Sequence, residues 1–409
     1  MKKLIVLITA IFAGGMLCAQ SSLNTAEHDI SGNTNQATTE QIGSLNDAYI
    51  LMDGNNNFGK QFSKGDENKT IIYQNNNDHY SFQEQTGDLN HAHSKIGKFS
   101  IANKMYTFQI QKGINNYSCL QMAKGFHSSA YSSQTGIKNY DFLKTKGNYN
   151  YADFYQKGDL NTASGFQMGN QNKAFVLTFG ISNKAGEKWM SYDAGFYQEG
   201  DYNYADIYQK GNLNESYTKQ LSSDNDLWID QLGNENYAWI GQGLSGYTPD
   251  GNWAMVYQKG DENWAKVKQG NDKEWANIEQ IGDANWAMVD QYGGGYNKAT
   301  VFQKGMDNYS YTGEFGYKNQ ADVIMRGDDN ISNIKATGDF NDIDVEQTGN
   351  NNLLGDNPYY GSGYWGKSDN YGMIINGDHN QSLVYQHGNG NAAEVNITGN
   401  WNISSIVQH

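Results

Sequence analysis

An eleven-residue period governs this chain. Asn150, Ala152, Phe154, Gln156 and Gly158 return as Asn161, Ala163, Gly165, Gln167 and Gly169, and again as Asn203, Ala205, Ile207, Gln209 and Gly211. Gln198, Gln209, Gln220 and Gln231 keep the step, as do Gly305, Gly316, Gly327, Gly338 and Gly349. Within each unit the constant positions fall at every second residue, which is strand periodicity rather than helix periodicity. One strand face therefore carries Asn, a small residue, an apolar residue and Gln. The apolar slot holds residues such as Ile72, Leu120, Val176, Ile207, Val256, Val289, Val345 and Ile406, mostly β-branched and suited to a pleated surface. The other face varies among Tyr, Trp, Lys, Asp, Glu and Thr. Gly followed by Asp or Asn then turns the chain.

One such strand cannot bury its inward face alone. Two consecutive strands folded face to face enclose a thin core, giving rungs of 22 residues. Stacked rungs pair each backbone with its neighbours at about 4.8 Å. The expected fold is all-β, a single-domain β-solenoid with two short strands per rung. Like residues then lie over like. Inward amides, costly in isolation, find partners along the stack. Each shared bond is worth about 0.5–1.5 kcal/mol, and an orphaned buried amide costs about 1–3 kcal/mol. The candidate ladder positions are Gln156, Gln167, Gln198, Gln209, Gln231, Gln258, Gln280, Gln303, Gln347 and Gln386, with Asn150, Asn161, Asn203, Asn236, Asn263, Asn285, Asn308 and Asn391.

Met1 to Lys3 is a short basic start, Leu4 to Ala13 an apolar run, and Ala19 a small residue before Gln20, so 1–19 reads as a secretory signal peptide. Lipidation at Cys18 is the rival reading, disfavoured by the bulky Leu17. Without 1–19 only Cys119 remains, and no internal disulfide is possible. The repeat region is 20–409, with room for roughly 17 rungs and a rod of about 80 Å. Its two prolines, Pro249 and Pro358, mark loop insertions near 241–251 and 353–372. Ser182–Asp193 and Gly97–Tyr106 are weaker irregularities. A net charge of −15 disfavours nucleic acid as a partner, and no run is long enough to span a membrane.

The pattern Gln-x-Gly-x-x-Asn-x-Ala-x-x-x-Gln, as in Gln156 to Gln167 and Gln198 to Gln209, resembles the curlin repeat of curli subunits, the extracellular amyloid fibres of bacterial biofilms. The resemblance implies a secreted β-solenoid subunit that polymerises end to end for adhesion and matrix. It also implies a nucleator subunit and a secretion pore as partners, and an assembly role for the inward Gln and Asn positions. The chain departs from the family where a second Gly commonly precedes the Asn; Gly390 is an exception.

Three surface features remain. Trp253, Trp264, Trp275 and Trp286 recur at eleven-residue steps, so Trp253 and Trp275 should stack on one face and Trp264 and Trp286 on the other. Tyr151, Tyr204, Tyr237 and Tyr309 share the slot. These aromatics either stiffen the rod or offer a surface to glycans. Asp159, Asp201, Asp261, Asp283, Asp328, Asp339 and Asp378 follow the repeat Gly. They serve the turn, or, as for Asp261 and Asp283, act as a like-charge brake on assembly; calcium between stacked Asp is a further reading. His91 and His93 share one strand face, with no third metal ligand close in sequence. No phosphate loop, nucleophile elbow or Cys-x-x-Cys is found, so neither an enzyme nor a cofactor is expected. The competing readings are a monomeric β-solenoid adhesin or glycan-binding surface protein, and an ice-binding solenoid. The second would need a regular Thr face that this chain lacks.

Overall fold

In a computed structural model, the described residues are 23–97, 102–185, 187–189, 192–194, 196–244, 250–355 and 372–409. The signal segment 1–19, Pro249 and Pro358 lie outside them. Among the described residues every regular element is a strand. They form a β-solenoid of about 16 coils with about 22 residues to the coil.

The chain divides into two compact units, residues 1–201 and 202–409. In the first, one parallel sheet runs from Thr25–Ser31 through Asp47–Asp53, Lys69–Asn75, His91–Ile96, Tyr117–Met122 and Tyr140–Lys146 to Thr162–Met168. A facing parallel sheet runs from Gln36–Ile42 to Lys173–Ile181. In the second unit, Glu215–Leu221 to Ile331–Thr337 build one sheet and Tyr204–Asn212 to Ile403–Gln408 the other.

Register is kept from coil to coil. Ala254 lies over Ala276, which lies over Ala299 in turn, and Val256, Ile278 and Val301 follow in the next inward slot. Those side chains are wholly buried, while Trp253, Met255 and Tyr257 on the alternate positions are half-buried. A one-residue slip would exchange the two faces, and the buried aliphatic column forbids it.

Each repeat turn packs against the turn of the next coil. Gly260 has φ +125°, and a Cβ there would stand 2.2 Å from the Gly282 carbonyl oxygen. Glycine is required at this position by both conformation and close approach. The irregularity at Ser182–Asp193 contains a short antiparallel hairpin, Glu187–Trp189 against Tyr192–Ala194. Near Gly97–Tyr106, Ala102–Asn103 pairs instead with Gly125–Phe126.

The first unit differs from the repeat pattern in its interior. On its second sheet the apolar slot is taken by Thr39, Gln61, Gln83, Gln109 and Ser132 before Phe154 and Val176 restore it. Gln61 donates to Gln83 at 3.1 Å and Gln83 to Gln109 at 2.7 Å. Gln109 then reaches Ser118 Oγ at 2.8 Å, Ser118 reaches Ser132 at 2.9 Å, and Ser132 donates to the Asp141 carboxyl. A second polar ladder thus runs where aliphatic residues were expected.

Candidate functional site: amide ladders and aromatic columns

The inward glutamines sit at the end of the strand, where the two sheets converge. In the second unit Gln209 donates to Gln231 at 2.9 Å, Gln231 to Gln258 at 2.9 Å, Gln258 to Gln280 at 2.9 Å and Gln280 to Gln303 at 2.8 Å. Their side chains are wholly buried. The second Nε2 hydrogen crosses the core to the opposite strand: Gln231 donates to the Glu215 carbonyl at 3.1 Å and Gln280 to that of Trp264 at 3.0 Å. Each amide therefore ties coil to coil and sheet to sheet. Met325 breaks this column, which resumes from Gln347 to Gln386 at 2.8 Å. In the first unit Gln156 accepts from Gln134 at 2.8 Å, and Gln167 donates to Gln198 at 2.9 Å.

The asparagines open each strand and clamp the turns. Asn263 donates its backbone N–H and its Nδ2 to Asn236 Oδ1, at 3.0 and 3.1 Å, and Nδ2 also to the Gly282 carbonyl at 2.7 Å. Asn285 donates to Asn263 in the same way, and Asn308 to Asn285. Asn161 repeats the arrangement on Asn139. Asn150 donates to Gly169 at 2.8 Å, and Asn203 to the Ser222 carbonyl at 2.7 Å. Asn391 is only half-buried and donates to the His387 carbonyl at 3.0 Å. The two ladders run in opposite senses: glutamines donate forward along the chain, asparagines backward.

The aspartates after the repeat Gly have a function the sequence reading missed. Oδ1 of Asp261 accepts the Asn234 backbone N–H at 2.7 Å, and Oδ1 of Asp283 accepts that of Asp261 at 2.8 Å. Asp159, Asp201, Asp328, Asp339 and Asp378 accept equivalent N–H groups, and Asn400 serves as well, accepting from Asp378 at 2.9 Å. The turn thus selects a side-chain acceptor one coil ahead, in addition to any preference for tight geometry. The signal was present in the sequence as free exchange of Asp and Asn, since both carry Oδ1.

Outside, the tryptophans form columns. Trp253 stacks on Trp275 at 4.8 Å with planes 3° apart, and Trp264 on Trp286 at 4.6 Å and 2°. Tyr237 and Tyr309 extend the second column at 5.7 and 4.3 Å. Tyr204 leans on Trp228, and Tyr151 on Tyr131 and Phe175. Ring faces turn toward one another along the stack, so an approaching molecule meets mainly ring edges.

Among the described residues, carboxyl groups take inward repeat positions at three places. Asp141 replaces the usual small residue, Glu274 an Asn and Glu314 a Gln. Burial pushes Asp141 up to about 7 and Glu274 up to about 8, and raises Glu314 well above the ordinary range. His91 stands edge-on to Tyr117, while His93 lies 4.0 Å from Cys119 Sγ, and burial holds His93 down to about 4. Among the described residues no group of three or more His, Cys, Asp or Glu is placed to hold a metal ion. No helix among them is long and apolar enough to cross a membrane.

Stacked coils of about 22 residues, tied by amide ladders, define a β-solenoid repeat architecture. The family model of the curlin associated repeat matches residues 200–233 and 276–305, so these two stretches are similar to curlin repeats. No curated protein matches the chain. Curlin repeats on a β-solenoid fit a curli-like structural protein.

Proposed function

We propose that the chain is a secreted subunit that polymerises end to end into extracellular amyloid fibres, for adhesion and biofilm matrix. The observation that carries this reading is a pair of open edges. Gln36–Ile42 pairs only with Phe58–Lys64, and Ile403–Gln408 only with Gln381–His387, among the described residues. On the latter edge Ile403 is 80% and Val407 55% exposed, and Ile406 and Gln408, inward in the repeat, are only half-buried. Unpaired strands recruit strands, and a head-to-tail contact that does not close yields a filament. The inward Gln and Asn positions, from Gln156 to Gln386 and from Asn150 to Asn391, would then serve assembly by continuing their ladders from copy to copy, with Gln41 and Gln408 on the two edge strands.

The partner is a second copy of the chain. A nucleating subunit and an export pore are proposed as partners on the family's pattern alone. A glycan-binding adhesin is less well supported, because the ring faces of the Trp columns are engaged with one another. Electron microscopy of the purified repeat region over time should show filaments, with fibre diffraction near 4.8 Å along the axis. A soluble monomer persisting for days at high concentration would overturn the reading.

A further inference from the structure

In the second unit one glutamine column ends in an acid. Gln220 donates to Gln242 at 3.0 Å, Gln242 to Gln269 at 3.1 Å, Gln269 to Gln291 at 3.1 Å, and Gln291 to Glu314 Oε2 at 2.7 Å. Every glutamine of the column also donates across the core to a carbonyl sixteen residues earlier: Gln220 to Tyr204, Gln242 to Asp226, Gln269 to Trp253 and Gln291 to Trp275. By the same step the carbonyl opposite Glu314 is that of Lys298. The slot thus calls for an acceptor toward the preceding coil and a donor toward the opposite strand. An amide supplies both. A carboxylate supplies only acceptors, whereas a carboxylic acid has one oxygen to accept and one hydroxyl to donate. In the structure Glu314 is wholly buried, and its Oε1 has no hydrogen-bond partner.

We propose that Glu314 makes this ladder proton-operated: protonated, it stands in for a glutamine, and ionised, it opens the column and loosens the coils on either side. The inference deepens the fibre reading and rests on it for its consequence, which is assembly favoured by acid.

The surroundings offer no compensating cation. The preceding coil brings Gln291 inward and Asp290 outward, the latter paired with Lys268 at 3.8 Å. The following coil places Ala336 over Glu314 and Lys335 on the outer face. On the opposite sheet the inward residues are Ala299, Val301, Gln303, Ala321, Val323 and Met325, all neutral. Lys298, Lys304, Asp322 and Arg326 occupy the outward positions there. Glu274 and Asp322 act on Glu314 in the same direction as its burial, holding the proton on. A group that binds its proton more tightly when folded stabilises the fold fully below its unfolded value, and loses that contribution as pH rises.

The test compares the wild-type repeat region with Glu314→Gln. The critical concentration for filament growth is measured at about pH 5 and about pH 8. Wild type should need at least about tenfold more protein at the higher pH, and the variant should match wild type at low pH while losing most of that rise. An infrared carboxylic-acid band at about pH 6 that is weaker in the variant than in wild type, its remainder belonging to Asp141 and Glu274, would identify the proton carrier. Equal pH dependence in both proteins overturns the proposal, since Asp141 and Glu274, present in both, would then account for it. If neither protein forms filaments, the fibre reading fails, and the urea midpoint decides the Glu314 question by itself. A midpoint that falls with pH more steeply in wild type than in the variant supports the proton-operated slot, because Asp141 and Glu274 titrate in both proteins, and equal falls overturn it.

Discussion

At the scale of single residues, each ladder amide answers for several neighbours. Replacing Asn263 by Ala removes the bonds that Asn263 makes to the Gly282 carbonyl and to the Asn285 backbone N–H, while the Asn285 side-chain amide keeps the Gly305 carbonyl. At about 1–3 kcal/mol for each orphan, the loss should be on the order of 3 kcal/mol in denaturant midpoints. Asp283→Asn keeps the acceptor for the Asp261 N–H and should be nearly neutral, while Asp283→Ala removes it and should cost about 1 kcal/mol. If the two variants behave alike, the acceptor account of the turn is wrong. Asp141 gives a pH test. Its carboxyl is raised to about 7 by burial, against about 3.9 in an unfolded chain. The stabilisation linked to its proton is complete below the unfolded value and lost as pH rises through the folded one. Asp141→Ala restores the small residue of the repeat. Relative to wild type, it should gain stability steadily from about pH 4 to about pH 8, by at most on the order of 4 kcal/mol. His93 is held down to about 4 and weakens both proteins below about pH 6.5, so the difference between them isolates Asp141.

At the scale of the strand, the outward columns stabilise by contact between rings. Trp286 lies between Trp264 at 4.6 Å and Tyr309 at 4.3 Å. Trp286→Thr forfeits two stacked pairs worth about 0.5–1.5 kcal/mol each. The thermal midpoint should drop while filaments still form, because no backbone pairing is lost. Exchanging all four tryptophans for Thr should leave filaments that bend more sharply in micrographs. Unaltered adhesion to surfaces would then exclude the columns as a binding face. These columns were legible beforehand because an eleven-residue step fixes both the face and the neighbour, which is also why the inward Gln and Asn positions could be named from spacing alone. The Gln61, Gln83 and Gln109 column was not legible in that way. It occupies a slot whose consensus is aliphatic, and the sequence shows each glutamine singly as an exception, whereas the coil stacks them as a set. The acceptor role of the turn aspartates went unread for a related reason: the bond partner is a backbone N–H one coil away, which leaves only the exchange of Asp and Asn as its trace in the sequence.

At the scale of the whole molecule, the two units share coil geometry but differ in what fills it. From Ile207 through Ile229, Val256, Ile278, Val301, Val323 and Val345, the second unit keeps an unbroken aliphatic column. The matching column of the first unit begins with Thr39, Gln61, Gln83, Gln109 and Ser132. Burying a Val or Ile side chain is worth about 1.5–3 kcal/mol, against about 0.5–1.5 kcal/mol for a satisfied hydrogen bond. In this column the ledger therefore favours the second unit over the first five coils of the first, before Phe154 and Val176 restore the apolar slot. Opening free energies should follow this difference, since local unfolding samples the least stabilised coils first. Hydrogen exchange read by mass spectrometry should find the strands Phe58–Lys64, Tyr80–Thr86 and Tyr106–Ile114 exchanging faster than Trp253–Lys259, Trp275–Ile281 and Lys298–Lys304. The contrast should persist within filaments, where pairing is the same for both sets and only the core differs. Equal protection would mean that a complete glutamine column holds coils together as firmly as an aliphatic one, and the energetic ranking used for the two units would have to be reversed in favour of the amides.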